Sequence, residues 1–364
     1  MRARSLGITI GSLEQGPLGA ITDIDGVRVG HTTLTEGEDV RTGVTVVIPP
    51  EEPLFAAPFR LNGNGEMTGL EWVRESGFLT TPIALTNTHS VGVVRDALVR
   101  VAVGREVAPD WSLPVVAETW DGFLNDINGS HVKAEHVFAA VEAASPGPVQ
   151  EGGVGGGTGM ICHQFKGGIG TASRVLGEST GGWVVGVLVQ ANHGRRTRLS
   201  LNGLPIGSVV TDEVVPVPQR PAGFASPGVD VRVPEGSGSI IVVVATNAPL
   251  IPTQCDRLAQ RAALGIARVG GVGENYSGDI AIAFATGNEV PSHDPVDHPL
   301  VTELSMVPNH WITPLFDAVV EATEEAIWNA IVAADTMVGR DGITAHGLEP
   351  ELLLDAVAKL SPGG

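Results

Sequence analysis

Three short, almost uninterrupted apolar runs constrain this chain most: residues 183–190 (WVVGVLVQ), 240–245 (IIVVVA) and 280–285 (IAIAFA). Each has the length of a strand, and none shows the polar alternation of a strand with one wet face. Such runs read as strands covered on both sides. The covering layers are visible as well. Cys255, Leu258, Ala262, Ile266 and Val269 recur at helical steps directly after the second run. Residues 91–103 (VGVVRDALVRVAV) have the same spacing, and 130–144 fit a helix with Ser130 as its N-cap. The last clear helix starts at Thr313-Pro314 and runs to about Asp335, with Phe316, Val319, Val320, Ile327, Ile331 and Val332 on its apolar side. Near the start, 26–31 and 43–48 are further β-type runs, while the Gly-rich stretch 151–182 predicts loops or bulged strands. Strands and helices come in groups rather than in strict βαβ order, which predicts a layered α+β fold.

Composition narrows the function classes. With 22 basic and 41 acidic residues the net charge is −19, a surface that repels nucleic acid and anionic lipid. No run approaches the length of a membrane span. The opening MRARSLGITIGSLEQG has no continuous apolar segment of the secretory kind, so a cytoplasmic protein is expected. Aromatic residues make up only 4%, so the core should consist of Val, Ile, Ala and Leu. Cys162 and Cys255 stand far apart and form no metal-type pair; two buried, reduced thiols are the expectation.

One junction carries chemistry. Residues 213–238 (EVVPVPQRPAGFASPGVDVRVPEGSG) contain too many Pro, Gly and Ser for a central strand or helix and predict an exposed linker. The linker stops at Gly238, and Ser239 opens the most strand-like run of the chain. A hydroxyl on the first residue of a rigid strand has a fixed position, and Gly238 leaves its carbonyl open to attack. Cleavage there would make Ser239 an N-terminal residue. Its α-amine, titrating near roughly 7.7–8.0, could then take the hydroxyl proton. An ordinary Gly-Ser linker ahead of a core strand fits the same pattern.

The run from 238 to 250 (GSIIVVVATNAPL) resembles the cleavage region of the L-aminopeptidase/D-esterase/amidase family, which includes the β-aminopeptidases. The likeness extends to DIDGVRVGHTTL near the N-terminus, VAETWDGFLNDING (116–129), KGGIGTASR (166–174), GVLVQANHG (186–194) and YSGDIAIAF (276–284), and so to nearly the whole chain. The resemblance implies a single-domain αββα sandwich of two chains, 1–238 and 239–364, assembled as a homo-oligomer of processed heterodimers. It implies removal of N-terminal residues from small peptides, amides or esters, without metal or cofactor. Ser239 is then the nucleophile and Gly238 the acyl side of the processed bond. Asn192 matches an oxyanion-supporting asparagine, and an amide suits that task because it donates without titrating. Ser277 and Asp279 match a serine and an acidic residue near the nucleophile, and Glu118 a carboxylate that binds the substrate's amine. Trp120 stands where some members carry an oxyanion-supporting tyrosine. An indole N–H differs from a phenol in reach and direction, so a substrate-pocket wall is the expectation.

Related self-processed proteins transfer acyl groups, as ornithine acetyltransferases do, or hydrolyse amide oligomers. Those relatives use threonine, so Ser239 favours the aminopeptidase reading. An uncut scaffold binding a cationic ligand is the non-enzymatic alternative. Two His and two Asp within 292–298 offer a metal-like set in a proline-bearing loop, which reads as surface rather than site. GVGGGTG (153–159) lacks the ending of a phosphate loop and reads as close backbone packing.

Overall fold

The computed structural model describes residues 1–50, 53–105, 110–219, 238–290 and 301–361. In chain order the elements are β1 (Arg28–Glu36), β2 (Val40–Ile48), β3 (Leu54–Arg60), α1 (Leu70–Ser76), β4 (Phe78–Leu79), β5 (Ile83–Asn87), α2 (Val91–Val103), β6 (Val115–Thr119) and α3 (Ala134–Glu142). There follow β7 (Ile161–Cys162), β8 (Phe165–Lys166), β9 (Gly168–Val175), β10 (Val184–Asn192), β11 (Ser239–Thr246), α4 (Pro252–Val269) and β12 (Asp279–Ala285). The chain closes with α5 (Thr313–Val332), β13 (Met337–Val338), β14 (Thr344–Ala345) and α6 (Pro350–Leu360).

Two main sheets form the centre, one in the order β1-β2-β5-β6 and the other β4-β3-β12-β11-β10-β9. Their residues divide three apolar clusters cleanly. On β11, Ile240, Val242 and Val244 pack with side chains of α4 and α5, whereas Ile241, Val243 and Ala245 pack with the other sheet. Val44, Val46, Ala84 and Val116 of the smaller sheet pack with Val94, Leu98 and Val137 of α2 and α3. The layers therefore run helix, sheet, sheet, helix. This is the expected four-layer sandwich, and the buried faces on both sides explain why the central strands carry no polar alternation. Strands from before and after residue 238 share the larger sheet, since β11 pairs antiparallel with β10 and parallel with β12.

Four readings are corrected in detail. Ser130 does not cap a helix: it sits in the left-handed region (φ 51), and α3 starts four residues later at Ala134. The helix from Thr313 ends at Val332, short of Asp335. The chain's last helix is α6, not α5. Part of the Gly-rich stretch is a regular eight-residue strand, β9, in which every residue but Val175 is buried. The reason lies across the layer: a Cβ on Gly170 would stand 1.9 Å from the Ala326 carbonyl oxygen of α5, so glycine lets the helix lie directly on the strand.

Gly155–Gly157 packs against β5 and β9, in keeping with the close-packing reading of that segment. Cys162 and Cys255 are both buried and free. Most of the linker (220–237) and the 292–298 loop lie outside the described residues; 213–219 form a turn and irregular backbone. Among the described residues, no helix is long and apolar enough to cross a membrane.

Candidate active site

Ser239 opens β11 and is only 4% exposed. Its register partner on β10 is Asn192, the last residue of that strand. On its other side β12 begins, with Ile240 opposite Asp279. Three strand ends thus meet at one corner.

The corner is tightly wired. The Gly278 N–H donates to Ser239 Oγ at 3.1 Å, which fixes the hydroxyl. Asn192 Oδ1 accepts from the Ile161 N–H at 2.8 Å, and its Nδ2 donates to the Trp120 carbonyl at 2.9 Å. These contacts settle which end of the amide is nitrogen and leave its second N–H for a ligand. Ser277 Oγ donates to Asp279 Oδ1 at 2.5 Å. Burial pushes the Asp279 carboxyl up to about 6, although hydrogen bonds from Ser277 and Asn62 pull the other way.

The structure also fits Gly238 to its place. A Cβ there would lie 1.9 Å from the Asn192 carbonyl oxygen, so no larger residue enters the strand pair at this point. Glu118, at the end of β6, reaches the same corner through one glycine. A Cβ on Gly65 would stand 3.1 Å from Glu118 Oε1 and 3.0 Å from Gly278 Cα, so Gly65 is sandwiched between the carboxylate and the residue that holds Ser239. Glu118 accepts from the Glu66 N–H at 3.0 Å and from the Thr88 hydroxyl. Burial raises its carboxyl above the ordinary value, against the pull of those two donors.

Trp120 contributes through its backbone. Its carbonyl orients Asn192, while the half-buried indole packs edge-on to Phe123 at 5.4 Å between centroids. The structure thus gathers Gly238, Ser239, Asn192, Ser277, Asp279, Glu118 and Trp120 around one corner.

What the sequence reading missed is the segment 60–66 (RLNGNGE). Asn62 Oδ1 accepts from the Asp279 N–H at 2.6 Å, and Asn62 Nδ2 donates to the Glu274 carbonyl. The Asn64 N–H donates to the Ser277 carbonyl, and Asn64 Nδ2 to that of Tyr276. The two Asn-Gly pairs were the available signal, because such pairs mark tight turns whose amides bond nearby backbone. A cleft of about 400 Å³ opens beside this segment, lined by Arg60, Glu66, Met67, Leu70, Trp72 and Leu113 among others. Glu66 joins it to Glu118; Trp120 is not part of its lining.

A buried serine heading a central strand of a four-layer sandwich, with an oriented amide beside it, belongs to the hydrolases of the N-terminal-nucleophile fold. The model of peptidase family S58 matches residues 19–345, and the chain belongs to that family of aminopeptidases. Among its relatives is a β-peptidyl aminopeptidase of Sphingosinicella microcystinivorans, 46% identical over 370 residues, covering 98% of this chain and 92% of that one. A Burkholderia β-aminopeptidase structure superposes with a TM-score of 0.89 at 52% identity over the whole of both chains. The L-aminopeptidase D-Ala-esterase/amidase of Ochrobactrum anthropi, a prototype of the serine aminopeptidases, gives 0.86 at 40% identity over 99% of each chain.

Proposed function

We propose that this aminopeptidase activates itself by cutting between Gly238 and Ser239 and then removes N-terminal β-amino-acyl groups from small peptides, amides and esters. The observation that carries the reading is the pairing of Ser239 with Asn192, with the Gly278 N–H on the Ser239 hydroxyl. Strand register sets the nucleophile beside the amide, and the contacts from Gly278, Ile161 and Trp120 aim the two groups.

In the first stage Ser239 Oγ adds to the Gly238 carbonyl carbon, and the Gly238–Ser239 C–N bond breaks. The nitrogen leaves as the Ser239 amine, taking a proton, and the acyl group rests on oxygen as an ester. Water then releases Gly238 as a carboxylate. The resulting chains span 238 and 126 residues.

In the second stage the substrate's ammonium pairs with Glu118, a charge-assisted contact that is strong in a buried site. The neutral α-amine of Ser239 takes the hydroxyl proton as Oγ attacks the scissile carbonyl. The free N–H of Asn192 stabilises the oxyanion, and the amine returns its proton to the leaving nitrogen. Water hydrolyses the acyl-enzyme by the reverse order of proton transfers. Ser277 and Asp279 accept hydrogen bonds from the Ser239 ammonium and keep it aimed at Oγ. Trp120 acts through its carbonyl, which orients the Asn192 amide. The β-amino-acyl preference over L- and D-α-amino-acyl groups rests on the two relatives named β-aminopeptidases, both more similar than the Ochrobactrum enzyme.

Exposed Val301, Leu304, Met306 and Trp311 support assembly of processed heterodimers into a homo-oligomer, and the two free thiols support a cytoplasmic setting. Ser239→Ala tests the core of the reading. The variant should stay uncut and should lose on the order of 10⁴-fold or more of the hydrolysis of β-alanyl p-nitroanilide. A cut or active variant removes Ser239 from the mechanism. Faster wild-type turnover of L-alanyl p-nitroanilide overturns the β preference alone.

A further inference from the structure

A second cluster of reactive side chains lies behind the oxyanion amide, and none of its groups has a part in the mechanism above. Cys162 ends β7, His163 occupies the tight turn to β8, and His193 follows Asn192 at the end of β10. Their ligand atoms lie within 4.8 Å of one another, and all three residues are buried. Cys162 Sγ faces His193 Nδ1 at 3.8 Å, and the two imidazoles pack edge-to-face with centroids 5.2 Å apart.

The cluster is set up as ligands are. His163 Nδ1 lies 3.0 Å from the Arg195 carbonyl oxygen, which accepts but cannot donate, so Nδ1 carries the proton. The lone pair therefore sits on Nε2. That atom is buried and without a partner, as is Nε2 of His193. A backbone carbonyl fixing the tautomer of a ring whose other nitrogen is buried and unpartnered is the usual outer shell of a metal-bound histidine. The turn itself is strained, since His163 and Gln164 both adopt positive φ (47° and 63°) and the His163 N–H is tied to the His193 carbonyl at 2.7 Å. An orphaned polar atom in a dry interior costs about 1–3 kcal/mol, so the bare lone pair of His163 Nε2 is the observation that needs a ligand, while His193 faces the Cys162 sulfur through Nδ1.

The surroundings select the ion. The group offers three donors, and Cys162 and His163 are wholly buried. A tetrahedral zinc site wants a fourth. Two basic side chains stand beside the cluster: Arg196, whose Nε donates to the His163 carbonyl at 3.1 Å, and Lys166, wholly buried on the same hairpin. Lys166 Nζ donates to the carbonyls of Gly157, Met160 and Gly167, and Arg196 donates to those of His163, Gln164 and Val215. A divalent ion with one thiolate would leave a net positive charge beside them, while a univalent ion would leave none. The 3.8 Å between sulfur and His193 Nδ1 is spanned at close to the trigonal angle by bonds of roughly 2.3 and 2.0 Å.

We propose that Cys162, His163 and His193 form a buried three-coordinate site for a univalent d¹⁰ cation, Cu(I). On binding, the Cys162 S–H bond gives its proton to solvent as the sulfur–copper bond forms; the imidazoles donate lone pairs, and no oxidation state changes. The site would clamp the hairpin to β10, because Cys162 and His193 are the chain neighbours of Ile161 and Asn192, the pair joined through the Asn192 amide.

The test uses the full chain made in copper-supplemented cells, purified under ascorbate with bathocuproine disulfonate to strip surface copper, and assayed for metals per chain. About one copper should remain in the wild type and in Cys255→Ser, and less than about 0.1 in Cys162→Ser and His163→Gln. X-ray absorption of the wild type should show one sulfur and two nitrogens around copper, a readout that needs no variant. Less than about 0.1 copper in the wild type, a copper shell without sulfur, or full retention in Cys162→Ser overturns the proposal. One zinc per chain in place of copper overturns the univalent assignment.

Discussion

Two groups of buried carboxylates in this molecule are built on opposite terms. Behind α5, Arg174 is fully buried and bridges Glu321 at 3.1 Å and Glu325 at 2.7 Å. Glu321 also takes the N–H groups of Ser12 and Leu13. Burial pushes its carboxyl upward, but those N–H groups and the guanidinium outweigh burial and hold it below the ordinary value. At the active corner, Glu118 and Asp279 are just as buried, yet among the described residues neither has an ion pair with Lys or Arg, and both carboxyls are raised. Satisfied charge marks a structural joint. Unsatisfied charge beside a formed cleft fits a place kept ready for a cation, which in the proposed mechanism is the amine of the substrate or of Ser239.

The contrast can be broken by experiment. Arg174→Met leaves buried Glu321 without its ion pair and Glu325 with Arg4 alone, and should lower stability by about 3–5 kcal/mol while turnover per folded molecule holds. Glu118→Gln should do the reverse. It removes a charge that has no Lys or Arg partner among the described residues, so the unfolding midpoint should hold or rise, while kcat/KM falls about 10- to 100-fold, mostly through KM. A Glu118→Gln protein that unfolds as easily as Arg174→Met would show that Glu118 is structural.

The smallest effect is one of sign. A raised carboxyl such as Asp279 contributes stability that is present below its unfolded value, roughly 4, and is lost as pH rises through about 6. The stability of wild type relative to Asp279→Asn should therefore fall over that window. A lowered carboxyl such as Glu321 contributes stability present above its unfolded value and lost as pH falls through its folded one. Wild type relative to Glu321→Gln should gain as pH climbs into the neutral range. Denaturant midpoints across pH 3.5–7.5 for both pairs give the two slopes, and equal signs would erase the distinction.

The sequence showed the paired strands at the corner well and the pieces that lock them poorly. Runs 183–190, 240–245 and 280–285 became β10, β11 and β12, because a continuous apolar run of only six to eight residues has the length of a strand covered on both faces and is short for a helix. Helix α4 was legible for the same reason of period. β9 was not, since the glycines that let α5 lie on it look like loop glycines until the helix is in place. The segment 60–66 escaped because its amides bond backbone more than 200 residues away, a pairing with no local trace. Ser130 misled because a serine ahead of an apolar period is a cap only when the chain enters the helix there. The family motifs pointed to Ser239, Asn192, Ser277, Asp279 and Glu118, which the fold brings to one corner, whereas the bond from Asn192 to the Trp120 carbonyl had no trace in the sequence.

The central claim is that strand register presents Ser239 for its own release, and intact mass measurement of the freshly purified, denatured protein tests it most directly. The account predicts two chains, of 238 and 126 residues, the smaller beginning at Ser239. A single chain of 364 residues after prolonged incubation would contradict it, because the amine on which the mechanism depends would never be made.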